Sequence, residues 1–93
     1  MRYERRNIVA IYSDIIAELR KDKGIQQRDI AKHFGIAQST YSMYETGVRR
    51  MSIEMLVEIA YYLDASVDYI LGISTAPKPV GRKVTNPYRE NFF

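Results

Sequence analysis

The glycines at positions 24, 35, 47 and 72 constrain the fold most, because each closes a run patterned for one short helix. Ahead of Gly24, Ile8, Ile11, Tyr12, Ile15, Ile16 and Leu19 recur at helical spacing. Arg20, Lys21 and Lys23 fill the last turn there, and a glycine after basic residues is a helix stop signal. A second helix is expected over about 27–34, with Ile30, Ala31 and Phe34 inward, and a third over 37–45, before Gly47. A fourth starts after Ser52, a good N-cap, with Glu54 in its first turn. Its buried stripe is Met55, Leu56, Ile59, Ala60 and Leu63. A fifth, short helix spans 66–71, with Ser66 as N-cap and Asp68 in the first turn. No strand alternation competes before residue 72. The expectation is an all-α, five-helix domain over residues 1–72.

After Gly72 the composition changes. "STAPKPVGRK" is rich in proline and glycine and reads as a linker. "VTNPYRENFF" carries Tyr88, Phe92 and Phe93, which a solvated tail does not need. Residues 73–93 are therefore read as a linker and an aromatic-ended C-terminal extension. Three readings stay open: the aromatics pack back on the domain, bind a second subunit, or stay in solvent.

At 93 residues, 46% apolar, the chain suits one small domain with a single core. It has no cysteine and one histidine, His33, which excludes a disulfide framework, a thiolate metal site and a histidine cluster. No cofactor is expected. No 19-residue window is continuously apolar, and the charged "MRYERRNIVA" has no apolar stretch behind it. A soluble, cytoplasmic protein without a membrane partner is expected.

The net charge of +3 is unevenly spread. Residues 1–50 carry ten Lys/Arg against six Asp/Glu; residues 51–72 carry four acids and no base; residues 73–93 carry four bases and one acid. Such polarisation suits a basic face for nucleic acid and an acidic face turned away from it.

Helices two and three are joined by "FGIA", a short turn with glycine at its tight position. Ile30, Ala31, Phe34, Ile36, Tyr41 and Tyr44 flank it, and small Ala31 lets the two helices approach closely. This is the plan of a helix-turn-helix, whose second helix presents its outer face.

The run "ELRKDKGIQQRDIAKHFGIAQSTYSMYETGVRRMSIEMLVEIAYYLDASVDYILG" resembles the phage-repressor (Cro/C1-type, XRE) helix-turn-helix family over nearly all of residues 8–72. "LRKDKG", a Gln opening helix two, "IAKHFGI", "STYSMYETG" and "SVDYILG" coincide in order. The resemblance implies a five-helix lambda-repressor-like DNA-binding fold. It makes Gln27 a residue that binds a phosphate and braces the base-reading helix. Gln38 and Ser39 resemble the Gln-Ser pair with which lambda repressor reads bases. Gln matches adenine N6 and N7 bidentately, and Ser serves several bases. Ser42 and Met43 lie one turn later on the same face, with Met43 suited to a thymine methyl. Thr40 and Thr46 are candidates for DNA-backbone contacts. The resemblance also pairs Arg20 with Glu45 as a structural ion pair fixing the angle of helix three. Gln26 and Ala37 depart from the family, which usually caps helices two and three with Ser or Thr; a missing cap costs about 1 kcal/mol.

Arg28, Arg49 and Arg50 flank the expected reading surface, with Lys32 as an accessory, and supply attraction for phosphates. No enzymatic arrangement is found: His33 reads as a boundary residue, and Asp64 and Asp68 fit helix-dipole preference. The expected function is sequence-specific binding of double-stranded DNA by a dimeric repressor, with residues 37–45 in the major groove. Tyr61 and Tyr62 cannot both face one core, which favours a homodimer seam through helices four and five. The alternative is an antitoxin-like or adaptor protein whose main role is binding a partner protein.

Overall fold

The computed structural model describes residues 7–75. Among them are five helices: α1 (Ile8–Asp22), α2 (Gln27–Phe34), α3 (Gln38–Thr46), α4 (Ile53–Tyr62) and α5 (Val67–Ile70). They fall into two compact units that divide between Arg50 and Met51. The expectations for residues 76–93 lie outside the described residues.

In the first unit, α1 and α2 both pack on α3. Asn7 caps α1 by accepting the Val9 N–H at 2.7 Å, which satisfies one of the amides that a helix start leaves without an intrahelical partner. Neither Gln26 nor Ala37 makes a side-chain cap for α2 or α3. Ile16, Ile30 and Tyr41 lose all contact with solvent, and Ala31 is 2% exposed. Each large apolar side chain so buried contributes about 1.5–3 kcal/mol. The Tyr41 and Tyr44 rings meet edge to face with centroids 6.5 Å apart. The buried stripe of α1 starts at Val9; Ile8, which shares the helical spacing, is 38% exposed.

Three helices end in one motif. The N–H of Gly24 bonds to Lys21 and that of Ile25 to Arg20; Gly35 and Ile36 repeat this on Lys32 and Ala31, and Gly72 and Ile73 on Tyr69 and Asp68. These are Schellman closures, with glycine in left-handed backbone and an apolar residue after it. α4 closes the same way without glycine: Asp64 (φ 55°) bonds to Tyr61, and Ala65 to Ala60. Aspartate tolerates this conformation better than most residues. At Gly47, φ is 79°, and a Cβ would meet Ser13 Oγ at 3.7 Å and Val9 Cγ1 at 3.8 Å. Those are ordinary contacts, so backbone conformation rather than crowding calls for glycine there.

In the second unit, Ser52 and Ser66 cap α4 and α5 by accepting the N–H of Met55 at 3.0 Å and of Tyr69 at 3.1 Å. Leu56, Ile59, Ala60, Leu63, Ala65 and Ile70 are buried, and α4 packs on α5. Met55, expected in the buried stripe, is only partly covered. No described helix is long and apolar enough to cross a membrane.

Candidate nucleic-acid interface

The site is built on α3, whose two faces differ in chemistry. Tyr41, Tyr44 and Glu45 follow one another at helical spacing on the inner face; both tyrosines are buried, and the Glu45 side chain is 6% exposed. Gln38 and Ser39 are exposed, and Ser42 and Met43 partly so. With exposed Thr46 they make one continuous outer arc carrying no formal charge. Thr40 lies between the two faces and is partly covered.

Glu45 gathers donors from all three helices of the unit. Arg20 on α1 donates Nε–H to Oε2 at 2.5 Å and Nη2–H to Oε1 at 3.1 Å. Gln27 on α2 donates from Nε2 to Oε1 at 3.0 Å. Tyr41, one turn before Glu45 on α3, donates its hydroxyl to Oε2 at 2.5 Å. Arg20 also donates from Nη1 to the Ile25 carbonyl at 2.7 Å, tying the end of α1 into the same network. A charge so placed needs partners: its removal from water is offset only by close, directional hydrogen bonds.

The electrostatics follow from the geometry. Burial alone pushes the Glu45 carboxyl up, but the hydrogen bonds from Arg20, Tyr41 and Gln27, with the Arg20 charge, outweigh it and hold Glu45 below the usual carboxylate range. Burial, then the bond to Glu45, pushes the Tyr41 hydroxyl well above the ordinary tyrosine range. The bond to Glu45 raises the Arg20 guanidinium further. Tyr41 therefore stays a neutral donor and Glu45 a charged acceptor at neutral pH.

The structure brings Arg20, Gln27 and Glu45 together and aims them inward. One N–H of the Gln27 amide is given to Glu45, and the amide nitrogen carries a second. Thr46 donates its hydroxyl to the Met43 carbonyl at 3.3 Å, and the Arg49 N–H reaches the same carbonyl at 3.2 Å. The Thr46 proton is thus used in closing the helix. Arg28 on α2, and Arg49 and Arg50 after α3, are exposed. The sequence places Tyr41 beside the turn as an apolar residue and gives its hydroxyl no role; the structure makes that hydroxyl a fourth member of the network. The signal was its position four residues before Glu45, which puts both side chains on one helix face. His33 stacks edge-on against Phe34 at 4.8 Å. Among the described residues no group of three or more His, Asp or Glu could hold a metal ion.

A helix-turn-helix family model matches residues 16–70. An uncharacterized HTH-type transcriptional regulator of Bacillus subtilis, YobD, is 36% identical over 81 residues, covering 86% of this chain and 72% of the relative. The HTH-type transcriptional regulator AnsR of the same organism is 41% identical over 71 residues, covering 72% of this chain and 61% of the relative. A third HTH-type regulator of B. subtilis, YqaE, is 34% identical, and the match spans 53% of its length. No solved structure gives a significant match. The matched span holds the α2–turn–α3 unit, the outer arc of α3 and the whole Glu45 network. The chain belongs to the Cro/C1-type (XRE) helix-turn-helix family of DNA-binding transcriptional regulators.

Proposed function

We propose that this chain is a dimeric, sequence-specific repressor acting in the cytoplasm. Residues 1–72 form its DNA-binding domain, and residues 37–45 enter the major groove of double-stranded DNA. The supporting observation is the division of α3: an inner face locked by directional bonds and an outer arc of uncharged groups that can match base edges. Gln38, Ser39, Ser42 and Met43 read bases. Gln27 with its second N–H, Arg28, Thr40, Thr46, Arg49 and Arg50 engage the DNA backbone, Thr46 by turning its hydroxyl from the Met43 carbonyl to donate to a phosphate. Arg20 and Glu45 are the structural pair. Phosphate contacts supply affinity and base contacts supply discrimination, so the two tasks need not share a helix.

Selection of bound sequences from a random DNA pool tests this reading. A palindromic site with half-sites about 34 Å apart is expected. A selected site without two-fold symmetry counts against the dimer, and no enrichment counts against sequence-specific binding. Within the selected site, Gln38→Ala lowers specific affinity far more than affinity for random DNA. Equal losses on both would refute its base-reading role. Exposed Ile53 and Tyr61 favour a second reading, an adaptor or antitoxin-like role. Replacing Arg49 and Arg50 by alanine separates the two: DNA binding falls with a shallower salt dependence while association with a protein partner is retained.

A further inference from the structure

The outer side of α4 carries a stripe that the DNA-binding reading does not use. Ile53, Val57 and Tyr61 recur every four residues and so share one side of the helix. Ile53 is 74% exposed, Tyr61 40%, and Val57 is partly exposed. Exposed apolar side chains in a row mark a contact surface more than scattered ones do. The stripe is edged by acids: Glu54 and Glu58 stand one residue beyond Ile53 and Val57, and residues 51–72 carry four acids and no base.

The chain itself supplies a segment of complementary chemistry. Residues 76–93 carry Lys78, Arg82, Lys83 and Arg89 against the single acid Glu90, and their last six residues include Tyr88, Phe92 and Phe93. Basic groups and aromatic rings in one short segment fit an apolar stripe with acidic edges. In sequence the segment follows α5, separated from it by residues 71–75. A short connection holds it near α4 at an effective concentration in the millimolar range, which favours the same chain over a second copy.

We propose that residues 76–93 dock in cis on the Ile53–Val57–Tyr61 stripe of α4. The basic residues face the acidic edge and the aromatic residues cover the stripe. The exposed apolar Ile73 beyond α5 lies outside this stripe. This inference stands whether or not the chain is a dimeric repressor.

The absence of cysteine makes the test clean. Asn91→Cys in the full chain, carrying a nitroxide spin label, broadens the backbone amide resonances of any residue near the tail. Strong broadening is expected at Ile53, Val57 and Tyr61. Glu54→Lys combined with Tyr61→Ala, both at exposed positions, abolishes the broadening while the rest of the spectrum keeps its dispersion. Broadening that appears instead between a spin-labelled chain and a separate isotope-labelled chain would overturn docking in cis and identify a second copy as the occupant. Spectra of the spin-labelled Asn91→Cys chain with no broadening on α4 would overturn the proposal outright.

Discussion

The unit before Arg50 and the unit after Met51 are both helical, but different forces set their geometry. In the first, one carboxylate is bonded from α1, α2 and α3 at once. In the second, α4 and α5 are closed by serine caps and buried aliphatic side chains. Apolar packing is non-directional and tolerates small rotations, whereas hydrogen bonds to a charge fix both distance and angle. A helix that presents Gln38 to a base edge, as proposed above, needs the second kind of support. The comparison teaches that the orientation of α3 is held by polar bonds, while apolar burial holds the chain folded.

The most damaging change should be Glu45→Ala. It strands the Arg20 guanidinium, whose side chain is 11% exposed, and releases the Gln27 and Tyr41 donors. Breaking a buried pair from one side costs about 3–5 kcal/mol. Urea denaturation should show that loss, and binding to the selected site should go with it. An effect below about 1 kcal/mol would mean that the pair behaves like a surface pair and that the comparison fails.

Ile59→Ala probes the other side. Ile59 is fully buried in the second unit, so truncation should cost about 2–5 kcal/mol. Below its lowered unfolding midpoint, the variant should keep the same base preference. A changed preference at equal folded fraction would show that apolar packing also sets the angle of α3.

Tyr41→Phe keeps the buried ring and removes one donor to Glu45. A hydrogen bond to a charged group is worth about 1.5–3 kcal/mol. The same change alters the pH dependence in a defined direction. Glu45 is held below the ordinary value of about 4.3, so its contribution is complete above that value and is lost as pH falls through the lower, folded-state value. With one stabilising bond gone, the folded-state value rises toward the ordinary one. The acid unfolding transition, followed by circular dichroism, should therefore begin at higher pH in Tyr41→Phe than in the wild type.

Much of the architecture was legible because its punctuation is chemical. Gly24, Gly35 and Gly72, each followed by Ile, mark three Schellman closures, and Ser52 and Ser66 mark two helix starts. The end of α4 was less legible because Asp64 takes the left-handed position there. Ile8 and Met55 fit the helical period yet are not buried, since period fixes a direction and not what lies in it. At the interface, residue type and spacing pointed to the outer arc of α3. The convergence on Glu45 was harder to read. Gln27 lies eighteen residues away and Arg20 twenty-five, so spacing does not join them; the family resemblance pairs Arg20 with Glu45, and the packed fold adds the bonds from Gln27 and Tyr41 to the same carboxylate.

The smallest effect concerns a term local to one helix end. Ala37 precedes α3 with extended backbone, as N-caps do, but has no side chain to accept an amide. Ala37→Ser supplies the missing oxygen without touching Glu45. The expected gain is about 1 kcal/mol, which in a domain of this size raises Tm by roughly 4–8 °C. Because a cap stabilises a helix without setting its angle, the base preference on the selected site should be unchanged while Tm rises. If added stability came with a new preference, the start of α3 would share in orienting the outer arc, and the network around Glu45 would not be the only determinant of its angle.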